Sequence, residues 1–183
     1  MAGGTRERMI DAAIQGLQRH GLAGMSFTDV LASSGAARGA IYHHFPDGKK
    51  QLVAEAAARN GKDVLAHLAT LPTTTPQEVV EAFLTQVRPV VAAATQGGGC
   101  AVAAVTVHLD GDSEDLCRVA ATAFASWTAR LTASLTAAGL PADRAGEVAS
   151  LMIAVLEGAQ VVCRATGDLA PFDQAAKALA RLP

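Results

Sequence analysis

Three observations predict an all-α protein. Half of the 183 residues are hydrophobic but only 4% are aromatic, so the apolar content is mostly Ala, Val and Leu, which suits close-packed helices better than a β-sandwich. Apolar residues recur at three- and four-residue steps along nearly the whole chain, and no strand-like alternation persists. Capping residues, glycines and prolines fall where such helical segments begin and end.

The elements follow in order. From Thr5 to His20, Ile10, Ala13, Ile14 and Leu17 mark one apolar face, with Thr5 as the expected N-cap and Gly21 as the stop. Ser26-Phe27-Thr28-Asp29 fits a capping box, in which hydroxyl and carboxylate each satisfy a backbone donor, and opens a short helix to about Ser34. Gly35 ends it. Helical character resumes over residues 37–45 (ARGAIYHHF), which leaves room only for a tight turn.

Pro46-Asp47-Gly48 breaks the chain before a long helix that carries Leu52, Val53, Ala56, Val64, Leu65 and Leu68 toward a core. Residues 71–75 (LPTTT) read as a linker, and Thr75-Pro76-Gln77-Glu78 as a helix start with a hydroxyl cap and a first-turn proline. That helix is expected to reach Thr95. The glycines at 97–99 precede an apolar segment through Leu109, and residues 112–115 are expected to cap a long helix ending near Ala138. Gly139 and Pro141 introduce a helix to about Thr166, and a last one spans Phe172 to Leu182. The nine helices cover about four-fifths of the chain, against roughly one-third in an average globular protein.

Composition excludes several classes. Cys100, Cys117 and Cys163 are odd in number and form no C-x-x-C pair, which argues against a disulfide framework or a structural zinc site and suggests buried thiols. No metal or other cofactor is expected: His43 and His44 are adjacent on a helix and diverge by about 100°, and His20, His67 and His108 are isolated. The longest charge-free stretch, Pro89 to Val107, is interrupted by polar residues and three glycines, so no membrane span is read. With no apolar run behind the N-terminal arginines, no secretory signal is read either, and a cytoplasmic location is expected.

Charge is unevenly spread. Residues 1–60 carry seven Lys/Arg against five Asp/Glu, while the remainder carries eight against twelve. The N-terminal third is the candidate polyanion-facing part, although an ordinary solvated surface fits such small numbers equally well.

Two short helices joined by a glycine-containing turn form a helix-turn-helix, whose second helix fits a major groove about 12 Å wide. Ile41 and Phe45 lie four apart and point inward, which leaves Arg38, Gly39, Tyr42 and His43 toward solvent or DNA. Ala37, Gly39 and Ala40 are small enough to let the backbone approach a duplex closely.

These residues resemble a known family. From Met9 through Ala54, the segments MIDAAIQGLQRHGL, SFTDVLASSGAARGAIYHHF and PDGKKQLV resemble the N-terminal domain of TetR-type transcriptional repressors. GAARGAIYHHFPDGKKQL, followed by GGGCAVAAV and FASWTARL, is most similar to the LmrA/YxaF-like branch. The resemblance implies a helix-turn-helix DNA-binding domain over residues 1–47 and a helical effector-binding and dimerisation domain over residues 48–183. Thr28, Ala37, Arg38, Gly39, Tyr42 and His43 are then interface residues, with Thr28 and Tyr42 on phosphate and Lys49, seconded by Lys50, on the DNA backbone. Arg38 is the base-contact candidate, because a guanidinium grips guanine O6 and N7 with two hydrogen bonds. Leu31 stands where the family commonly has alanine, and Ala37 where a serine often caps the recognition helix.

The resemblance also implies an apolar effector pocket, for which Phe83, Val87, Cys100, Val105, Phe124, Trp127, Met152 and Gln160 are candidates. The spacing of Phe124, Trp127 and Leu131 most often means a core stripe, although the same stripe can line a cavity, which the resemblance favours in part. The segment from Leu151 to Val162 is apolar nearly all round, and an isologous dimer would bury it through Leu151, Val155, Gly158, Ala159 and Val162, with the last helix completing a four-helix interface as in the family. The expected protein is no enzyme: it is a homodimeric repressor that binds a pseudo-palindromic double-stranded operator and is released by a small hydrophobic or drug-like effector. An enzyme using Cys100 or a histidine lacks a matching base at a suitable spacing, and a helical scaffold without DNA affinity remains the other rival.

Overall fold

The computed structural model describes residues 4–107 and 114–183, and among them it contains nine helices and no strand. These are α1 (Thr5–Gly24), α2 (Phe27–Ser34), α3 (Ala40–His44), α4 (Gly48–Leu68), α5 (Pro76–Thr95), α6 (Ala101–Ala104), α7 (Glu114–Ala137), α8 (Ala142–Thr166) and α9 (Ala170–Leu179). The all-α expectation holds, and most helix ends fall where caps and breakers put them.

The differences are local. Thr5 is the first helical residue rather than the cap, a position taken by Gly4 without any side-chain bond. Gly21 does stop the regular helix, because its φ of 68° and ψ of −176° kink α1 before a short final turn. The apolar segment after the glycine cluster forms only the four residues of α6, and the last helix starts and stops earlier than its apolar pattern suggests. Leu109, His108 and the capping residues 112–113 lie outside the described residues.

The chain packs as two compact units, one of residues 1–61 with 100–121 and one of residues 62–99 with 122–183. This division by packing differs from the boundary after residue 47, because α4 is one continuous helix and its first three turns bury Leu52, Val53, Ala56 and Ala57 in the first unit. In that unit, α1 lies against α2 and α6, and Met9, Leu17, Met25, Val30, Ile41 and Phe45 form the core. Gly16 permits the close approach of α1 to the chain before α2, since a Cβ there would sit 2.8 Å from Met25 Cγ.

The second unit is built on α8, which packs against α5 and α9. Val80, Phe83, Trp127, Leu131, Leu135, Met152 and Phe172 fill its interior. Arg130 donates to the Ala69 carbonyl and Arg144 to that of Leu182, tying helices to the segments beside them. By length and composition α8 is apolar enough to cross a membrane, but 44% of its most apolar window is buried within the protein. That burial belongs to one face, whereas Leu151, Val161 and Val162 are exposed.

Candidate nucleic-acid interface

The turn and the short third helix are held from beneath and from both sides. Ser26 caps α2, its hydroxyl accepting from the Asp29 amide at 3.2 Å and donating to the Asp29 carboxylate at 2.6 Å. Only half of the expected reciprocal box forms, because the carboxylate is satisfied by the hydroxyl itself. Gly35 closes α2 in the left-handed region at φ 66°, and Arg8 donates to the Ser34 carbonyl at 3.0 Å, placing a cation at the negative end of that helix.

Helix α3 begins at Ala40, three residues later than the helical pattern predicts. Residues 37–39 form a turn instead, in which the Ala40 amide donates to the Ala37 carbonyl at 2.9 Å. No side chain caps this helix, in keeping with alanine at position 37. Ile41 and Phe45 are buried as the four-residue spacing requires, and that anchoring turns the opposite face outward.

Thr28, Ala37, Arg38, Gly39, Tyr42 and His43 are all exposed, Tyr42 to 65%. The ring of Tyr42 meets Phe27 edge-on at 6.2 Å, which steadies the phenol beside the start of α2 and beside Thr28. Among the described residues Arg38 makes no hydrogen bond or ion pair, so its guanidinium is available to an external acceptor. The turn and α3 therefore present a guanidinium, a phenol and an imidazole with small residues between them, and α2 adds the Thr28 hydroxyl near Tyr42. Such a surface suits phosphate contact and base-edge readout.

The two lysines at the start of α4 are differently engaged. The Lys49 ammonium donates to the Leu22 carbonyl at 3.2 Å, capping the last turn of α1 beyond the Gly21 kink. Lys50 pairs with Asp115 of α7 at 3.1 Å. That ammonium, by hydrogen bond and charge, and the neighbouring Arg118 hold the Asp115 carboxyl below its usual range.

Sequence reasoning missed a further brace. Arg6 bonds Glu55 and lies over the Phe45 ring at 5.1 Å, while Gln51 donates to Glu55 at 3.0 Å and accepts from the Asp47 amide at 3.1 Å. The end of α3 is thus tied to α1 and α4 together. A lone arginine near the N-terminus carries no signal for such a long-range pairing.

The eight effector candidates do not fall together in one packing unit. Phe83, Val87, Trp127 and Met152 are buried in the second unit, and Phe124 is half-buried with its ring edge-on to Trp127 at 5.1 Å. Gln160 is buried there too, and its Oε1 has no hydrogen-bond partner among the described residues. Cys100 and Val105 belong to the first unit, where the Cys100 sulfur caps α6 by accepting from the Ala103 amide at 3.3 Å. A surface groove of about 380 Å³ between α5 and α9, lined by Leu84, Arg88, Phe172, Asp173 and Lys177, contains none of the eight.

On α8, Leu151, Val155, Gly158 and Val162 recur at three- and four-residue steps. Leu151 and Val162 are exposed to 42% and 47%, and Gly158 is open around its Cα. Ala159 does not share this face: it is buried within its own unit, since it sits one residue on toward α8's core-facing side. Val161, which the sequence reading passed over, is exposed to 69% and extends the stripe.

Cys163 is buried as expected of a packed thiol, whereas Cys100 and Cys117 are half-buried. Among the described residues no group of three or more His, Cys, Asp or Glu side chains is arranged to hold a metal ion.

Comparison with known proteins matches the chain in two consecutive segments. Residues 9–56 match the family described as bacterial regulatory proteins, tetR family, and residues 76–178 match the transcriptional regulator LmrA/YxaF-like C-terminal domain. An uncharacterised HTH-type transcriptional regulator of Mycobacterium tuberculosis is 35% identical over 93% of this chain and 89% of its own length. The HTH-type transcriptional regulator LmrA of Bacillus subtilis is 28% identical over 85% of this chain and 84% of its own. Among solved structures, a TetR transcriptional regulator from Legionella pneumophila superimposes with a TM-score of 0.83 at 19% identity, covering 98% of this chain and 97% of that one. CifR, a TetR family regulator solved as a cysteine mutant with 26-bp double-strand operator DNA, does so at 0.75 and 18%, covering 97% and 96%.

Proposed function

The chain belongs to the TetR family of bacterial transcriptional regulators, in its LmrA/YxaF-like branch, and on that premise we propose that it is a cytoplasmic homodimeric repressor. It reads a pseudo-palindromic operator with one helix-turn-helix per subunit and leaves that operator when a small hydrophobic effector binds. The observation that carries this reading is the exposed, unengaged Arg38 in the turn before α3, together with exposed Tyr42 and His43 on that helix, which Ile41 and Phe45 pin from below, and exposed Thr28 on α2. The operator complex recorded for CifR supports it by analogy of fold.

In this mechanism Arg38 reads a guanine, Thr28 and Tyr42 hold phosphates, and the backbone at Ala37 and Gly39 allows close approach to the groove wall. Two such helices, about 34–36 Å apart or a multiple of that distance, enter successive major grooves. The uncharged stripe of α8 supports an isologous subunit contact, because a monomer would leave Leu151, Val161 and Val162 in water. The division into residues 1–47 for DNA and 48–183 for effector and partner is a division of roles rather than of packing.

The effector site is proposed in the second unit, around Phe83, Trp127 and Met152. The buried, unpartnered Gln160 oxygen favours an apolar molecule that carries one hydrogen-bond donor. Effector binding lowers operator affinity only if it favours a conformer in which the reading heads are wrongly spaced.

The test is binding of the full chain to a duplex from the region upstream of its own gene and to a random duplex, at physiological salt. A preference of about 10³ or more is expected for the upstream site. Equal affinity for both duplexes rules out sequence-specific regulation through this site.

A further inference from the structure

We propose that Asp115 is a positioning residue for DNA binding: from the start of α7 its carboxylate holds the Lys50 ammonium of α4 and withholds that charge from the phosphate backbone. The inference rests on the reading of the α4 start as a phosphate-contacting edge.

The two lysines of that edge are not equivalent. Lys49 donates to a carbonyl, a neutral acceptor that leaves its positive charge uncompensated. Lys50 faces a carboxylate at 3.1 Å, so its charge is neutralised within the protein. The pair is open to solvent, with side-chain exposures of 51% for Lys50 and 54% for Asp115, and a phosphate can therefore compete for the ammonium without entering a buried site.

Arg118 makes that exchange feasible. It is bonded to the same carboxylate, one turn along α7, so Asp115 keeps a cationic partner when Lys50 leaves. With two cations beside it, Asp115 stays ionised throughout the neutral range. Sixty-five positions separate Lys50 from Asp115 in sequence, so the strength of this DNA edge depends on an element outside the helix-turn-helix.

The experiment compares the full-length protein with Asp115→Asn, Lys50→Gln and the double variant, on a random-sequence duplex of about three helical turns over a salt series. Asp115→Asn is expected to tighten binding about three- to tenfold at low salt and to steepen the salt dependence by up to about 0.9, the increment for one full phosphate contact, because phosphate no longer competes with the carboxylate for Lys50. The same substitution in the Lys50→Gln background is expected to change nothing. Glu114→Gln, which removes the same charge one residue away, leaves the slope as it was.

An unchanged or weakened affinity for Asp115→Asn, or an equal gain in the Lys50→Gln background, overturns the proposal. The latter would mean a general change in field rather than release of Lys50. Asp115→Ser serves as a second variant with the same expected sign, and helical circular dichroism verifies that each variant is folded. If the wild-type protein binds no duplex in a salt-dependent way, the reading of α4 as a DNA edge fails first. If it does bind and Asp115→Asn behaves like wild type, only the present inference fails.

Discussion

Tyr42 and His43 are exposed because Ile41 and Phe45 are not, while Arg38 is exposed in the turn that precedes the helix. On a helix of only five residues, two anchors four positions apart fix the rotation, and everything on the other side faces outward. Arg38→Ala is expected to reduce the ratio of upstream-site to random-duplex affinity by the equivalent of about 1–3 kcal/mol, the discrimination carried by one bidentate base contact. Titrations of both duplexes check it, and an unchanged ratio would remove Arg38 from base reading. The outward face of Tyr42 and His43 was legible from spacing alone, whereas the turn that carries Arg38 was not. The engagement of Lys49 with Leu22 and of Lys50 with Asp115 was not, since neither acceptor is a neighbour in sequence.

At the scale of the element, the caps carry much of the local order. Ser26 satisfies one of the free amides at the start of α2, and Ser26→Ala is expected to cost about 1 kcal/mol, read as a lower midpoint in chemical denaturation. Sequence also placed the start of α5 correctly, because Thr75 bonds the Glu78 amide across three residues and Pro76 takes a position that needs no donor. It overextended α3 backwards. Residues 37–39 have helical composition, but the geometry of the turn after Gly35 bends them into a separate loop.

Trp127 belongs to the same scale. It is 1% exposed and packs edge-on with Phe124, so Trp127→Ala is expected to destabilise the protein by about 3–5 kcal/mol, visible as a fall in Tm. At temperatures where the variant stays folded it is expected also to lose its response to effector, since the effector site is proposed around the same ring; an intact response would leave Trp127 to the core alone. The stripe of Phe124, Trp127 and Leu131 could not decide between these from periodicity, because a core and an apolar pocket are lined by the same residue types.

For the whole molecule, the proposed subunit contact rests on the exposed apolar residues of α8, Leu151, Val161 and Val162. Val161→Lys is expected to leave the subunit folded within about 0.5 kcal/mol, since Val161 is 69% exposed and makes little of the core. It is expected to shift the protein from dimer to monomer in sedimentation and to abolish tight operator binding, because one reading head engages only one half-site. A dimer that survives the substitution places the subunit contact elsewhere.

The order of the helices, caps such as Ser26 and Thr75, the inward pair Ile41 and Phe45, and the resemblance to a regulator family were determined by the sequence alone. They depend on interactions three or four residues apart, which any reader of the chain can see. Only the tertiary structure decided that Arg6 braces Phe45 and Glu55, that Asp115 takes Lys50, and that Ala159 turns inward while Val161 faces out. Those outcomes depend on how distant helices are brought side by side and rotated, and burying the apolar faces together sets that rotation.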